Sequence, residues 1–210
     1  MEKRRIAKVL GVLLSAVFIV SIATASFAAD DFKKYGVRIR GLYIMPDEKI
    51  DSRLSALNLA VKDATAPELD FEYFVTKNFS VELDLALSKH DITADGTEVG
   101  HVWLLPPSLY VKYHPLPDFI VSPYVGFGMN VVMPFDERLN LGSGKVSDFK
   151  VDSTVGWAAK VGADIPIAKN VYLNVDAMYY NTETKMQVGG IKYDLDINPF
   201  IISTGIGVRF

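Results

Sequence analysis

The sequence predicts an all-β chain, an eight-stranded antiparallel transmembrane β-barrel with short periplasmic turns and long extracellular loops. Three observations carry that prediction. Apolar residues recur at period two over eight stretches, the pattern of strands whose side chains alternate between two faces. One face carries no charge apart from Lys89 at the end of the third stretch, whereas the other carries nearly every charge in the strands. The connections alternate between tight turns and long polar segments, as in outer-membrane barrels.

The first predicted strand, Tyr35 to Met45, sets Val37, Ile39, Tyr43 and Met45 against Arg38, Arg40, Leu42 and Ile44. The second, Glu68 to Val75, sets Leu69, Phe71, Tyr73 and Val75 against Asp70, Glu72 and Phe74. The third, Phe79 to Lys89, opposes Val81, Leu83, Leu85 and Leu87 to Glu82, Asp84, Ala86 and Ser88. The fourth, Val102 to His114, opposes Trp103, Leu105, Leu109, Val111 and Tyr113 to Leu104, Ser108, Tyr110, Lys112 and His114.

The fifth, Val121 to Val132, sets Val125, Phe127, Met129 and Val131 against Tyr124, Gly126, Gly128 and Asn130. The sixth, Thr154 to Ile165, puts Val155, Trp157, Val161 and Ile165 opposite Ala158, Lys160 and Asp164. In the seventh, Val171 to Tyr180, Leu173, Val175 and Tyr179 oppose Asn174, Asp176, Met178 and Tyr180. The eighth, Asn198 to Phe210, alternates Phe200, Ile202, Ile206, Val208 and Phe210 with Ile201, Ser203, Gly205, Gly207 and Arg209.

A Lys or Arg facing lipid near the bilayer midplane costs about 2–4 kcal/mol, which accounts for the charge-free face. A soluble lipid-binding barrel would put its charges outside instead. The eighth strand would be a long apolar edge in a soluble sheet, and pairing it with the first strand removes that edge. Turns at Thr76-Lys77-Asn78, Leu116-Pro117-Asp118 and Ala168-Lys169-Asn170 are short and turn-forming. Segments Pro46 to Pro67, His90 to His101, Met133 to Ser153 and Asn181 to Asn198 are long. Both ends of the barrel domain are then expected on the periplasmic side.

Lys3, Arg4, Arg5 and Lys8 precede an apolar run from Val9 to Ile22, and small residues follow. Residues 1–28 read as a secretory signal peptide cut after Ala25 or Ala28, and 29–210 as one barrel domain. The chain has no cysteine, so thiol chemistry and cysteine metal sites are excluded. A net charge of −3 gives no argument for a nucleic-acid partner. The expected partners are outer-membrane lipid, a small hydrophobic solute, and the outer-membrane assembly machinery through Phe210. The expected localisation is the bacterial outer membrane.

An eight-stranded barrel has an interior that side chains fill. Inward charges toward the periplasm are Arg38, Arg40, Lys112, Lys160 and Arg209 against Asp70, Glu72, Glu82, Asp84, Asp164 and Asp176, five bases to six acids. Near balance predicts a paired lumen plug in place of an ion-selective ring. Farther out, Leu42, Ile44, Leu104, Val132, Met178 and Ile201 predict an apolar pocket, or side chains packed beneath the loops. Pro106 and Pro107 lack ladder donors, which predicts a lateral gap beside the third or fifth strand, or a bend that ends the strand. Inward glycines, Gly205 and Gly207 among them, make room for large side chains opposite or relieve curvature.

Chemistry motifs are missing. His90 and His101 fall in a predicted loop, and His114 beside a turn, without metal-ligand spacing. Ser108 and His114 are too far apart along one strand for a nucleophile and its base. No phosphate loop or nucleophile elbow occurs. The chain reads as a non-enzyme without a cofactor.

Leu105-Pro106-Pro107-Ser108-Leu109, Pro123-Tyr124-Val125-Gly126-Phe127-Gly128-Met129-Asn130, and the closing Asn198-Pro199-Phe200 with Gly205-Ile206-Gly207-Val208-Arg209-Phe210 resemble the OmpW family. Leu69-Asp70-Phe71-Glu72-Tyr73 and Val37-Arg38-Ile39-Arg40 extend the resemblance over nearly the whole mature chain. The resemblance implies an eight-stranded barrel with a hydrophobic lumen that passes small hydrophobic molecules through a lateral opening. It implies no catalytic residue. The long middle loops depart from the family pattern, so it does not extend to ligand identity. Residues and resemblance together give the expectation of a passive channel whose solute enters from outside and leaves sideways at Pro106-Pro107. The alternatives are a structural or adhesin-type barrel and a lipid-modifying enzyme.

Overall fold

The structure, a computed structural model, describes residues 32–141, 144–145 and 149–210. The predicted signal peptide lies outside them. In chain order the strands are β1 (Tyr35–Met45), β2 (Glu48–Ile50), β3 (Leu59–Val61), β4 (Ala64–Phe74), β5 (Phe79–Ala86), β6 (Ser88–Ala94), β7 (Thr97–Leu105) and β8 (Ser108–Tyr113). Then follow β9 (Ser122–Leu141), β10 (Gly144–Lys145), β11 (Lys150–Val151), β12 (Thr154–Ala168), β13 (Val171–Asn181), β14 (Glu183–Val188), β15 (Ile191–Ile197) and β16 (Phe200–Arg209).

Eight of them close a circuit, β1-β4-β5-β8-β9-β12-β13-β16, with every neighbour antiparallel. The closing seam pairs β1 with β16 from Gly36↔Arg209 to Met45↔Phe200. Tyr35 and Phe210 exchange backbone hydrogen bonds at 3.0 and 2.9 Å at its end. The circuit has no free end, the condition for strands to cross a bilayer.

Burial follows the alternation, but inside out. Ile39 is 69% exposed, whereas its neighbours Arg38 and Arg40 are 4% and 2% exposed. Val125, Phe127, Val161, Val175, Ile202 and Ile206 likewise form an apolar outer belt. Inward glycines make room for what they face. A Cβ at Gly207 would stand 2.4 Å from the Arg38 Cγ, and one at Gly205 would stand 2.1 Å from the Ile39 carbonyl oxygen.

All four segments expected as loops contain strands, Pro46 to Pro67 holding β2 and β3. The His90 to His101 segment is mostly the β6–β7 hairpin, turning at Asp95 and Gly96 with φ of 48° and 76°. The Asn181 to Asn198 segment is mostly the β14–β15 hairpin, turning at Gly189 and Gly190 with φ of 57° and 84°. β9 runs through its predicted end at Val132 and continues to Leu141, 20 residues in all. The barrel wall is thereby prolonged at its long-loop end. The outer face changes there: Lys89 and Asp91 pair at 2.7 Å where lipid-facing apolar residues stood lower down. β4 also starts earlier than expected, at Ala64.

Candidate functional site

The lumen has three layers. The lowest is an ion-pair network from β1, β4, β5, β8, β12, β13 and β16. Arg38 pairs with Glu82, with Glu72 at 2.7 Å and with Asp70 at 3.6 Å. Arg40 contacts Glu68 and Asp70 at 2.6 Å each, Asp84 at 3.1 Å, and Asp176. Lys112 reaches Glu82 at 2.7 Å and Glu72 at 3.1 Å, and Lys160 reaches Glu82 at 2.6 Å and Asp84 at 2.5 Å. Arg209 pairs with Asp164 at the short-turn end. Every residue predicted for the plug thus joins one network, and Asp70 with them.

Sequence reasoning missed Glu68, although it shares parity with Asp70 and Glu72 and points inward with them. It raises the acids to seven, namely Glu68, Asp70, Glu72, Glu82, Asp84, Asp164 and Asp176, against the five bases. Tyr124 also belongs to the network, donating to Asp176 at 2.7 Å, as does Asn174, donating to Asp164 at 2.8 Å. Glu68, Asp70 and Asp84 converge closely enough to suggest a cation site, and Arg40 already serves as their cation.

Above the plug, Leu42, Ala66, Ala86, Tyr110, Ala158, Met178 and Tyr180 pack as a floor with Ile44 and Ile201. Leu42 and Met178, expected to line the pocket, lie in this packed layer. They sit one step lower along their strands than Ile44 and Tyr180, which do reach the space above.

The third layer is a cavity lined by Ile44, Leu104, Pro106, Val132 and Ile201. Higher up its walls are Ile92, Leu139, Phe149, Val151, Met186 and Leu195, from the prolonged strands and loops. Its volume is about 90 Å³. Six lining residues are polar: Ser88, His90, Asp152, Tyr180, Thr182 and Thr184. The His90 imidazole sits above the apolar belt, and burial pushes its pKa below the usual value, against the opposing pull of the Lys62 carbonyl and Asp91.

Beside the cavity base, one seam of the wall is unpaired. β5 pairs with β8 as far as Asp84↔Ser108, and β6 resumes against β7 at Ser88↔Leu104 in the same register. Between these pairs, residues 85–87 and 105–107 make no ladder contact with each other. The Leu87 N–H donates to the Pro67 carbonyl at 3.3 Å, continuing the ladder with β4 on the other side. On the opposite side the proline strand stays attached to β9, from Leu105↔Met133 to Ser108↔Asn130, with the Val131 N–H donating to the Pro107 carbonyl at 2.9 Å. Of the two seams left open by the sequence, the break therefore lies beside the third predicted strand. Leu105, expected on the outer face, is only 8% exposed at this seam.

Neither Ser108 nor Ser80 is placed as a catalytic nucleophile. The Ser108 hydroxyl contacts the Pro106 carbonyl and the Tyr180 hydroxyl. Ser80 does approach His114, at 3.1 Å, but the same ring nitrogen also faces Glu72. A catalytic relay needs the two nitrogens to face opposite partners, and this group lies sealed in the plug.

Known proteins share this architecture. The family model described as "OmpW family" matches residues 35–210. An outer-membrane protein of Sinorhizobium fredii is 32% identical over 201 residues, covering 91% of this chain and 86% of that protein. Outer membrane protein W of Vibrio cholerae is 30% identical over 208 residues, covering 91% of this chain and 95% of its own. The crystal structure of OprG from Pseudomonas aeruginosa superposes with a TM-score of 0.73 at 22% identity, over 85% of this chain and 96% of that one.

Proposed function

The chain belongs to the OmpW family of bacterial outer-membrane barrels, and from that premise we propose that it is a passive channel for small hydrophobic molecules. The observation that carries the reading is an apolar cavity resting on a sealed floor, with the one-sided break of the wall at its base. A solute enters from the long-loop side and exchanges water for an apolar lining, which is favourable in proportion to the apolar area buried.

The way straight down is closed. An apolar solute offers the plug's ion pairs no replacement for one another, so separating them costs far more than it returns. The exit is sideways, between residues 85–87 and 105–107, into lipid where an apolar molecule is stable. No cofactor and no energy source enter into this. A structural or adhesin-type barrel would have the same belt and plug, but no use for the cavity or the break.

The test is uptake of N-phenyl-1-naphthylamine by cells whose outer membrane carries the wild type, Leu104→Glu, or the double change Pro106→Thr with Pro107→Val. The first change places a carboxylate in the cavity, and the second restores one ladder donor at the break, at position 106, and one toward β9, at position 107. Both are expected to reduce uptake severalfold. Unchanged uptake by two variants that fold normally would favour the structural reading.

A further inference from the structure

The cavity is apolar except at six side chains, and four of those are already engaged. The Tyr180 hydroxyl meets Ser108 at 3.1 Å, and Thr182 accepts from the Asn130 amide at 3.4 Å. Thr184 donates to the Asp152 carbonyl at 2.7 Å, and the Asp152 carboxylate holds Lys192 at 2.7 Å. The remaining two, Ser88 and His90, are inward neighbours on β6, 2% and 4% exposed. They bond chiefly to each other, His90 Nε2 to Ser88 Oγ at 3.2 Å.

Geometry fixes the direction of that bond. His90 Nδ1 lies 3.4 Å from the Lys62 carbonyl, which accepts and cannot donate. The hydrogen of a neutral imidazole therefore sits on Nδ1, and Nε2 accepts from the Ser88 hydroxyl. Ser88 Oγ is left with lone pairs facing the cavity and no hydrogen to give. Its place is equally specific, because Ser88↔Leu104 is the first pair above the broken seam.

We propose that Ser88, held by His90, is the recognition point for a hydroxyl group on the solute, and that the preferred solutes are uncharged alcohols with an apolar body. The proposal rests on the reading of the cavity as a solute route, and narrows it from hydrophobic molecules at large. A hydrocarbon leaves the Ser88 lone pairs unsatisfied, and a ketone presents a second acceptor to them. A carboxylate adds the cost of burying a charge without a partner. An alcohol donates to Ser88 Oγ with its chain against Leu104 and Pro106, beside the break.

The test uses 1-octanol, 2-octanone and octane. Uptake is measured in cells with an intact outer membrane that produce the wild type, Ser88→Ala, Ser88→Thr or no barrel. The wild type is expected to favour 1-octanol over the other two by about 2- to 10-fold beyond the blank, the range one net hydrogen bond supplies. Ser88→Ala abolishes that preference and Ser88→Thr, which keeps the hydroxyl, retains it. In parallel, the ring signals of His90 in histidine-labelled full-length protein in lipid nanodiscs, assigned with His90→Phe, are expected to shift with 1-octanol and not with octane.

The outcomes separate. A ring that does not respond to 1-octanol overturns the alcohol site whatever the uptake shows. Uptake above the blank with equal selectivity in wild type and Ser88→Ala also overturns it, while leaving the channel standing. Uptake equal to the blank for all three solutes removes the channel reading. The alcohol site then stands or falls on the ring signals.

Discussion

Arg40 and Glu68 face each other directly across the β1–β4 ladder, with Nη2 2.6 Å from Oε1. The same guanidinium meets Asp70, Asp84 and Asp176, so one cation answers four carboxylates. Removing it isolates buried charge, whereas removing one acid relieves a lumen in which acids outnumber bases.

Arg40→Leu is therefore expected to lower the unfolding free energy in lipid vesicles by about 3–5 kcal/mol, the cost of orphaning a buried ion partner. Glu68→Gln keeps the shape and is expected to cost less. Urea titrations followed by electrophoretic mobility decide it, and a glutamine variant weaker than the leucine variant would refute this account of the plug.

Val161, 57% exposed on the outer belt, tests the other face. Val161→Arg is expected to destabilise the folded barrel by about 2–4 kcal/mol, or to slow its insertion into vesicles. The same change at Glu183, exposed beyond the belt, is expected to be nearly silent. Equal folding yields would mean that the belt does not face lipid.

The plug is also expected to limit ions. Its charges are paired across the lumen and capped by a packed floor. Planar-bilayer recordings are expected to show small conductance with weak selectivity between cations and anions. Steady passage of hydrophilic sugars would show that the floor is not closed.

The β6–β7 hairpin carries the pH prediction. Burial holds the folded pKa of His90 below its unfolded value of about 6.5. The folded state then binds fewer protons than the unfolded one, so stability rises with pH. The contribution is fully present above the unfolded value and is lost as the pH falls through it toward the folded one. Amide exchange in β6 and β7 is expected to accelerate, relative to the membrane belt, as the pH is lowered from about 7 to about 5, the window around the unfolded value. His90→Phe removes that dependence. An unchanged pH response in His90→Phe would assign it to another group.

The membrane-crossing part of the fold was legible because two-sided selection writes a clean alternation. Ile39 against Arg38 and Val161 against Lys160 announce which face meets lipid. Beyond the belt both faces meet water or loops, and the alternation dissolves. Lys89 and Asp91 on the outer face disguised β6 as a loop. The turn pairs Asp95-Gly96 and Gly189-Gly190 were a readable hairpin signal, since both central residues need positive φ. Pro106 and Pro107 located the break along the strand but not across it. Each proline lacks a donor toward one neighbour only: Pro107 faces β9, where its carbonyl still accepts from Val131, and Pro106 faces the third predicted strand, where the break lies.

β9 runs for 20 residues, which at roughly 3.3 Å each is about 65 Å of strand. Inclined at about 40°, it rises on the order of 50 Å, twice the roughly 25 Å apolar band of such barrels. On this side the wall therefore reaches well beyond the apolar band at the long-loop end. The hydrated zone of the lipid headgroups, rather than the hydrocarbon beneath, is the barrier to a greasy molecule arriving from water. On the proposed route, a tall lining would carry the molecule past that zone.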